Sequence, residues 1–247
     1  MKKKKIVFYT EIAYFLGLFL LAFGTALTTY GGFGISMVVA PAYILHKFME
    51  QFFSWFSFAV AEYVLQAIIL IITMIVMRKA KWTYPLSFVA AILYGIVLDL
   101  SMKLTALFPT PLALRIIVYI IGIIICCLSI ALLFSTYFPP EAYEMFVKEL
   151  SAKIKRPMHT IKIFYDCGSL VVAILLCIVL LSPFKADSFM GVINNFMQNG
   201  IGIGTIICAF IYGIIIGIFQ KIYRKIFIFI DRFPLRKYFE EREENNT

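Results

Sequence analysis

IIVYIIGIIICCLSIALLF, Ile116 to Phe134, decides the fold: nineteen consecutive residues without a charge and without any polar/apolar alternation. A hydrocarbon core about 30 Å thick takes roughly 20 apolar residues of helix, so this segment is long enough to cross a bilayer alone. A barrel strand would alternate and would be half as long. In hydrocarbon, the remaining structure that satisfies its own backbone hydrogen bonds is the α-helix.

Five further segments reach or approach the same length: Ile12 to Tyr30, Phe56 to Met77, Thr83 to Met102, Ile161 to Leu181 and Ile201 to Ile222. With the full run Leu114 to Phe134 they make six spans. The whole chain agrees, since 62% of its 247 residues are hydrophobic and only 15% are charged, which excludes a soluble domain of ordinary composition. MKKKK followed by an apolar run imitates a secretory leader. Glu11 interrupts the start of that run and no small-x-small site with a polar region follows it, so it reads as the first span.

Charge sets the expected orientation. With the N-terminus inside, nineteen of the 23 lysines and arginines fall on the inner side, Lys162 among them, and only Lys47, Lys103, Arg115 and Lys185 fall outside. That bias predicts both termini in the cytoplasm, in a bacterial inner membrane. It also explains the net charge of +9 by helix flanks meeting anionic lipid, with no nucleic-acid partner. Cys126, Cys127, Cys167, Cys177 and Cys208 all lie in spans at no metal-ligand spacing, and His46 and His159 fall on opposite sides. No metal, cofactor or enzymatic constellation is expected from such a set.

The chain echoes itself. AILYGIVL, Ala91 to Leu98, returns as AFIYGIII, Ala209 to Ile216, behind Ser87 and Thr205 respectively. Gly17 and Gly24 in span one match Gly122 and Ser129 in span four at an offset of 105, Glu62 matches Asp166 at 104, and Tyr94-Gly95 matches Tyr212-Gly213 at 118. Three spans per copy, an odd number, would make the copies inverted, as in many carriers. The expected organisation is a basic N-terminus, 1–11; a transmembrane domain, 12–223, of two inverted three-helix repeats, 12–105 and 112–223; and a cytoplasmic tail, 224–247.

Intramembrane acids are the sharpest chemical signal, because a carboxylate in hydrocarbon is expensive and faces a cavity or a partner. Glu62 sits roughly 10 Å from the outer edge and Asp166 about 7 Å from the inner one, by the helical rise. Gln66 lies one turn from Glu62; Tyr165 and Ser169 neighbour Asp166. Asp99 and Glu11 lie nearer span ends, where headgroups account for them. Two glycine clusters with hydroxyls stand at outer span ends: Gly31, Gly32, Gly34 and Ser36, and Gly200, Gly202, Gly204 and Thr205. The second opens a helix, whose free N–H groups could hold an anionic or carbonyl group, although close packing explains such glycines as simply. Candidate binding residues are therefore Glu62, Gln66, Asp166, Gly202, Gly204 and Thr205.

G-F-G-I-S at Gly32 to Ser36, Y-D at Tyr165-Asp166 and G-I-G-I-G-T-I-I-x-A-x-x-x-G at Gly200 to Gly213 resemble the YczE/YyaS/YitT-like integral membrane proteins of bacteria. The resemblance covers roughly Tyr14 to Tyr223 and implies a six-span transporter or membrane factor without an agreed substrate. The long soluble C-terminal domain of the YitT type has no counterpart here; the tail reads EEREENNT. Two readings follow. One is a small-solute or ion carrier, or a substrate-binding membrane subunit, with its site between the repeats. The other is a non-transporting membrane factor that stabilises or regulates a partner complex. No G-x-x-x-x-G-K-[ST] loop is present, so active transport would draw on an ion gradient or a separate energising subunit.

Overall fold

The computed structural model describes residues 5–79, 81–109, 111–181 and 189–233. Lys2, Lys3, Lys4, Lys185, Arg236, Lys237, Arg242 and the EEREENNT tail lie outside the described residues. A strand, β1 (Ile6–Tyr9), leads into α1 (Thr10–Gly31), a short α2 (Ala40–Met49), α3 (Phe58–Met77) and α4 (Thr83–Thr105). The second half runs α5 (Leu112–Leu133), a short α6 (Ala142–Ile154), α7 (Met158–Leu176), α8 (Phe189–Gln198), α9 (Ile203–Ile226) and β2 (Phe227–Ile230). The last turn of α7 widens into a π-helix over Cys177–Leu181.

Six of these helices, α1, α3, α4, α5, α7 with its π-turn and α9, are long and apolar enough to cross a membrane. The protein is an all-α, polytopic membrane protein, and its span limits fall within a few residues of those expected. Their outward faces carry large bare side chains such as Phe15, Ile75, Ile96, Ile117, Val179 and Ile214, which lipid covers. Local chemistry sets the ends. Pro111 and Pro157 stand immediately before α5 and α7, where a missing N–H costs nothing. The Ser57 hydroxyl accepts the Val60 N–H at the start of α3 (3.3 Å), and Gly32 closes α1 in the left-handed region at φ 71°.

α1 and α5 are the closest pair, and small residues are the reason. A Cβ at Gly24 would meet Cys126 Sγ at 2.7 Å and its backbone nitrogen at 3.0 Å. Gly122 faces Thr28 in the same way, and Gly17 faces Leu133 and Ser129. The pairings 17 with 133, 24 with 126 and 31 with 119 run antiparallel at one heptad per step. Without a hydrophobic force between helices in lipid, such close approach is what membrane helices pack by. The other pairings follow a pattern: α1 packs on α4 and α5 on α9, while α2 touches α3 and α7 and α6 touches α7 and α3.

The segments before α1 and after α9 meet in a two-stranded parallel sheet, β1 on β2, with Ile6 opposite Phe227 and Tyr9 opposite Ile230. Beside it the Glu11 carboxylate accepts the Tyr137 hydroxyl (3.1 Å) and the backbone N–H groups of Arg232 (3.1 Å) and Phe233 (3.0 Å). Glu11 is therefore a clamp between both termini and the segment after α5. This end of the molecule is called the termini end below.

Gly24→Val should lower stability in detergent by about 1–3 kcal/mol, the usual cost of overpacking. Gly168→Ala, where a Cβ has nothing within 4 Å, should change little. Parallel thermal unfolding curves check the contrast; equal shifts would contradict this account of the α1–α5 contact.

Candidate functional site

The two short helices were not expected from the sequence, and they build the site. After α5 the chain turns back into the membrane instead of leaving it. Tyr137 is level with Glu11, the Tyr14 hydroxyl bonds Pro139 O (2.9 Å), and the Ala142 N–H reaches Gln66 Oε1 (3.4 Å), near the middle of α3. From there α6 runs back to the termini end, where Lys153 Nζ bonds Val76 O (2.6 Å) and Lys81 pairs with Glu149 (2.9 Å). α6 is thus a half-helix with its N-terminus at mid-depth. Backbone outside a helix is tolerated there because it is buried in protein.

α2 does the same from the opposite end. The Ser36 carbonyl accepts the Ala40 N–H (3.0 Å) as the Glu141 carbonyl accepts the Met145 N–H (2.8 Å), so the two first turns start 105 residues apart. α2 returns to the far end at His46, whose Nδ1 meets Phe56 O (2.8 Å).

Between the two N-termini lies a cavity of about 30 Å³. Its walls fall into pairs: Leu21 with Cys126, Thr25 with Ile130, Ser36 with Glu141, Val38 with Tyr143, Val39 with Glu144, and Tyr94 with Tyr212. The first five pairs are 105 apart in sequence and the last 118, the offsets of the sequence echo. Lys162 completes the lining without such a partner, since its counterpart position holds Phe58.

Charge is concentrated on one wall. Lys162 is fully buried and its Nζ lies 3.0 Å from Glu144 Oε1 and 3.0 Å from Asp166 Oδ1. Glu62 Oε2 accepts the Tyr143 hydroxyl (3.0 Å) and the Gln66 amide (3.3 Å), leaving Oε1 without a partner. Glu141 is 2% exposed, and its Oε1 has no hydrogen bond. Four buried carboxyls thus share this region with one ammonium, which pairs directly with two of them. The half-helix N-termini add about half a positive charge each. If all four acids ionised, about two further positive charges would be needed at mid-depth, where desolvating each ion costs several kcal/mol.

The expected site residues separate into two groups. Glu62, Gln66 and Asp166 flank the axial cavity: Glu62 reaches it through Tyr143, and Asp166 through Lys162. Glu62 and Gln66 also line a void of about 10 Å³ with Asp99, and Tyr94 lines both spaces. Gly202, Gly204 and Thr205 lie instead against the loop after α1. The Gly204 N–H donates to Phe33 O (2.8 Å), the Thr205 hydroxyl donates to Ile35 O (2.7 Å), and a Cβ at Gly202 would sit 2.1 Å from Phe33 O. The two glycine clusters pack on each other, and these donors are used within the chain. Glu141, Glu144, Tyr143 and Lys162 were not anticipated. Lys162, counted among the inner flanking cations, is buried beside two acids. The signal that finds the other three is the 105 offset carried beyond the spans into the loops.

A family model described as a family of unknown function, DUF6198, matches residues 8–221, and the chain belongs to that family. The match carries no YczE, YyaS or YitT designation. No curated protein and no solved structure matches the chain.

Lys162→Met leaves Glu144 and Asp166 facing each other unpaired and should cost about 3–5 kcal/mol. Adding Asp166→Asn should recover part of that loss, because the second change removes a charge the first had stranded. Denaturant unfolding of the single and double variants measures the coupling; strictly additive losses would contradict the ion cluster described above.

Proposed function

We propose that this protein is a carrier of a small solute or ion, built from two inverted repeats, whose exchange site is the axial cavity. The observation that carries this reading is the lining itself: equivalent positions of both halves meet around one space, and the ionisable groups there are buried at mid-depth. The interhelix pattern supports it. Exchanging α1 with α5, α2 with α6, α3 with α7 and α4 with α9 maps the α1–α5 pair onto itself and turns α1–α4 into α5–α9, α3–α4 into α7–α9, α2–α3 into α6–α7 and α2–α7 into α3–α6. Within the central pair, the contact of Gly17 with Leu133 becomes that of Gly122 with Thr28, and the contact of Gly24 with Gly122 becomes that of Ser129 with Gly17. Half-helices ending at mid-depth between inverted repeats are the arrangement in which such carriers bind their substrates and coupling ions.

In this reading the termini end faces the bacterial cytoplasm. Lys81, Lys148, Lys153, Lys155, Arg156, Lys221, Arg224 and Lys225 flank helix ends on that side, as positive-inside insertion requires. The likeness to the YczE/YyaS/YitT-like proteins belongs to the same reading. The glycine loops Gly31–Ile35 and Gly200–Thr205 close the far end. Rocking of the halves about α1 and α5 would open it.

The test is flux into proteoliposomes under imposed proton, sodium and potassium gradients. Wild-type protein should move one of these ions above empty vesicles. Glu144→Gln with Asp166→Asn should cut that flux by roughly tenfold or more, the effect of about 1.4 kcal/mol at a binding site. No flux of any of the three ions, or flux that survives both substitutions, would overturn the proposal.

A further inference from the structure

Resting on that carrier reading, we propose that the species exchanged at the axial cavity is a proton, taken up by Glu141, with Lys162 the fixed counter-ion of the remaining acids. Glu141 combines three properties that no other acid in the cluster has together. It is the residue opening the half-helix α6, it lines the cavity directly, and its side chain makes no capping bond while Oε1 has no partner at all. An isolated buried carboxyl neutralises by taking a proton in preference to holding a bare charge.

The surroundings argue against a larger occupant. A cavity of about 30 Å³ has room for one or two waters. In this closed conformation it is too small for a hydrated ion or an organic solute. The place that a monovalent cation would take between Glu144 and Asp166 is filled by the Lys162 ammonium at 3.0 Å from each. For a metal ion, among the described residues no three His, Cys, Asp or Glu side chains converge closely enough to serve as ligands.

The groups that face Glu141 act on its charge in both directions. The α6 N-terminus and Lys162 on α7 attract the carboxylate's negative charge. Glu144 on α6 and Glu62 on α3 repel it. Tyr14 on α1, Tyr94 on α4, Cys126 on α5 and Tyr212 on α9 lie around it as neutral hydroxyls and a thiol. In the first repeat the matching position is Ser36, which cannot carry a proton in this way, so one half of the scaffold loads and the other only frames the space.

The route proposed for the proton starts at the termini end. A cleft of about 400 Å³ between α7 and α9 is lined by Met158, His159, Gln220 and Lys221. Lys162 lies one turn deeper than Met158 on the same face of α7, at the wall of the axial cavity. The proton would pass from water in the cleft to water in the cavity and onto Glu141 Oε1. It would leave from the same oxygen, with no other bond made or broken.

Infrared difference spectra of the full-length protein in lipid vesicles, recorded across a pH titration, test this directly. The wild type should show a carboxylic acid C=O band that titrates and shifts in heavy water. Glu141→Gln should lose that band and proton flux together, Glu141→Asp should move its midpoint, and the exposed Glu50→Gln should leave both intact. A band unchanged in Glu141→Gln, or sodium or potassium flux without proton movement, would overturn the proton assignment while leaving the carrier reading in place. A titrating Glu141 in vesicles that show no flux would support the proton site and overturn the carrier reading.

Discussion

The antiparallel contact of α1 with α5 is the constraint on which the rest of the molecule depends. Gly17, Gly24 and Gly122 bring two backbones to van der Waals distance, closer than any pair with side chains between them could come. That closeness leaves the space on either side of the pair for two half-helices, α2 and α6, each entering from its own end. Lipid offers no partner for the bent backbone that precedes a half-helix. Both bends must therefore be wrapped by protein, and the remaining four spans supply the wrapping.

In the proposed repeat, positions that correspond in the scaffold do not match in chemistry. Where the second half-helix opens with Glu141, Tyr143 and Glu144, the first has Ser36, Val38 and Val39. The counterpart of Lys162 is Phe58. The result is a cavity with one charged wall and one wall of helix dipole, hydroxyl and apolar side chains. In the proposed carrier, only one side of such a site would gain or lose charge when the halves move. The paired acids Glu62 and Asp166 do follow the repeat, yet their partners differ: a tyrosine and an amide for one, an ammonium for the other.

Much of this architecture is legible in the residues, for a definite physical reason. Span existence depends on length and polarity, which sequence displays directly, so all six spans lie where the apolar runs put them. The echo AILYGIVL and AFIYGIII marks the two tyrosines, Tyr94 and Tyr212, that both line the cavity. Depth is what sequence hides. α6 contains Glu144, Lys148, Glu149 and Lys153, and it reads as a loop in water until Gln66 is seen to bond its first N–H. Lys162 hides for the same reason, four residues into a helix whose first turn faces the cleft. The Gly-rich start of α9 misleads in the other direction, since the Gly204 N–H that sequence implies to be free is taken by Phe33 O in the loop after α1.

The account stands or falls on the two half-helices entering from opposite faces. Single cysteines placed by Glu50→Cys, at the end of α2, and by Lys155→Cys, at the end of α6, in a chain whose five native cysteines have been replaced, report this when treated with a membrane-impermeant thiol reagent on intact and on opened cells. Position 50 should react in intact cells and position 155 only after opening. Labelling of both from the same face would contradict the inverted arrangement and, with it, an axial site shared by two halves.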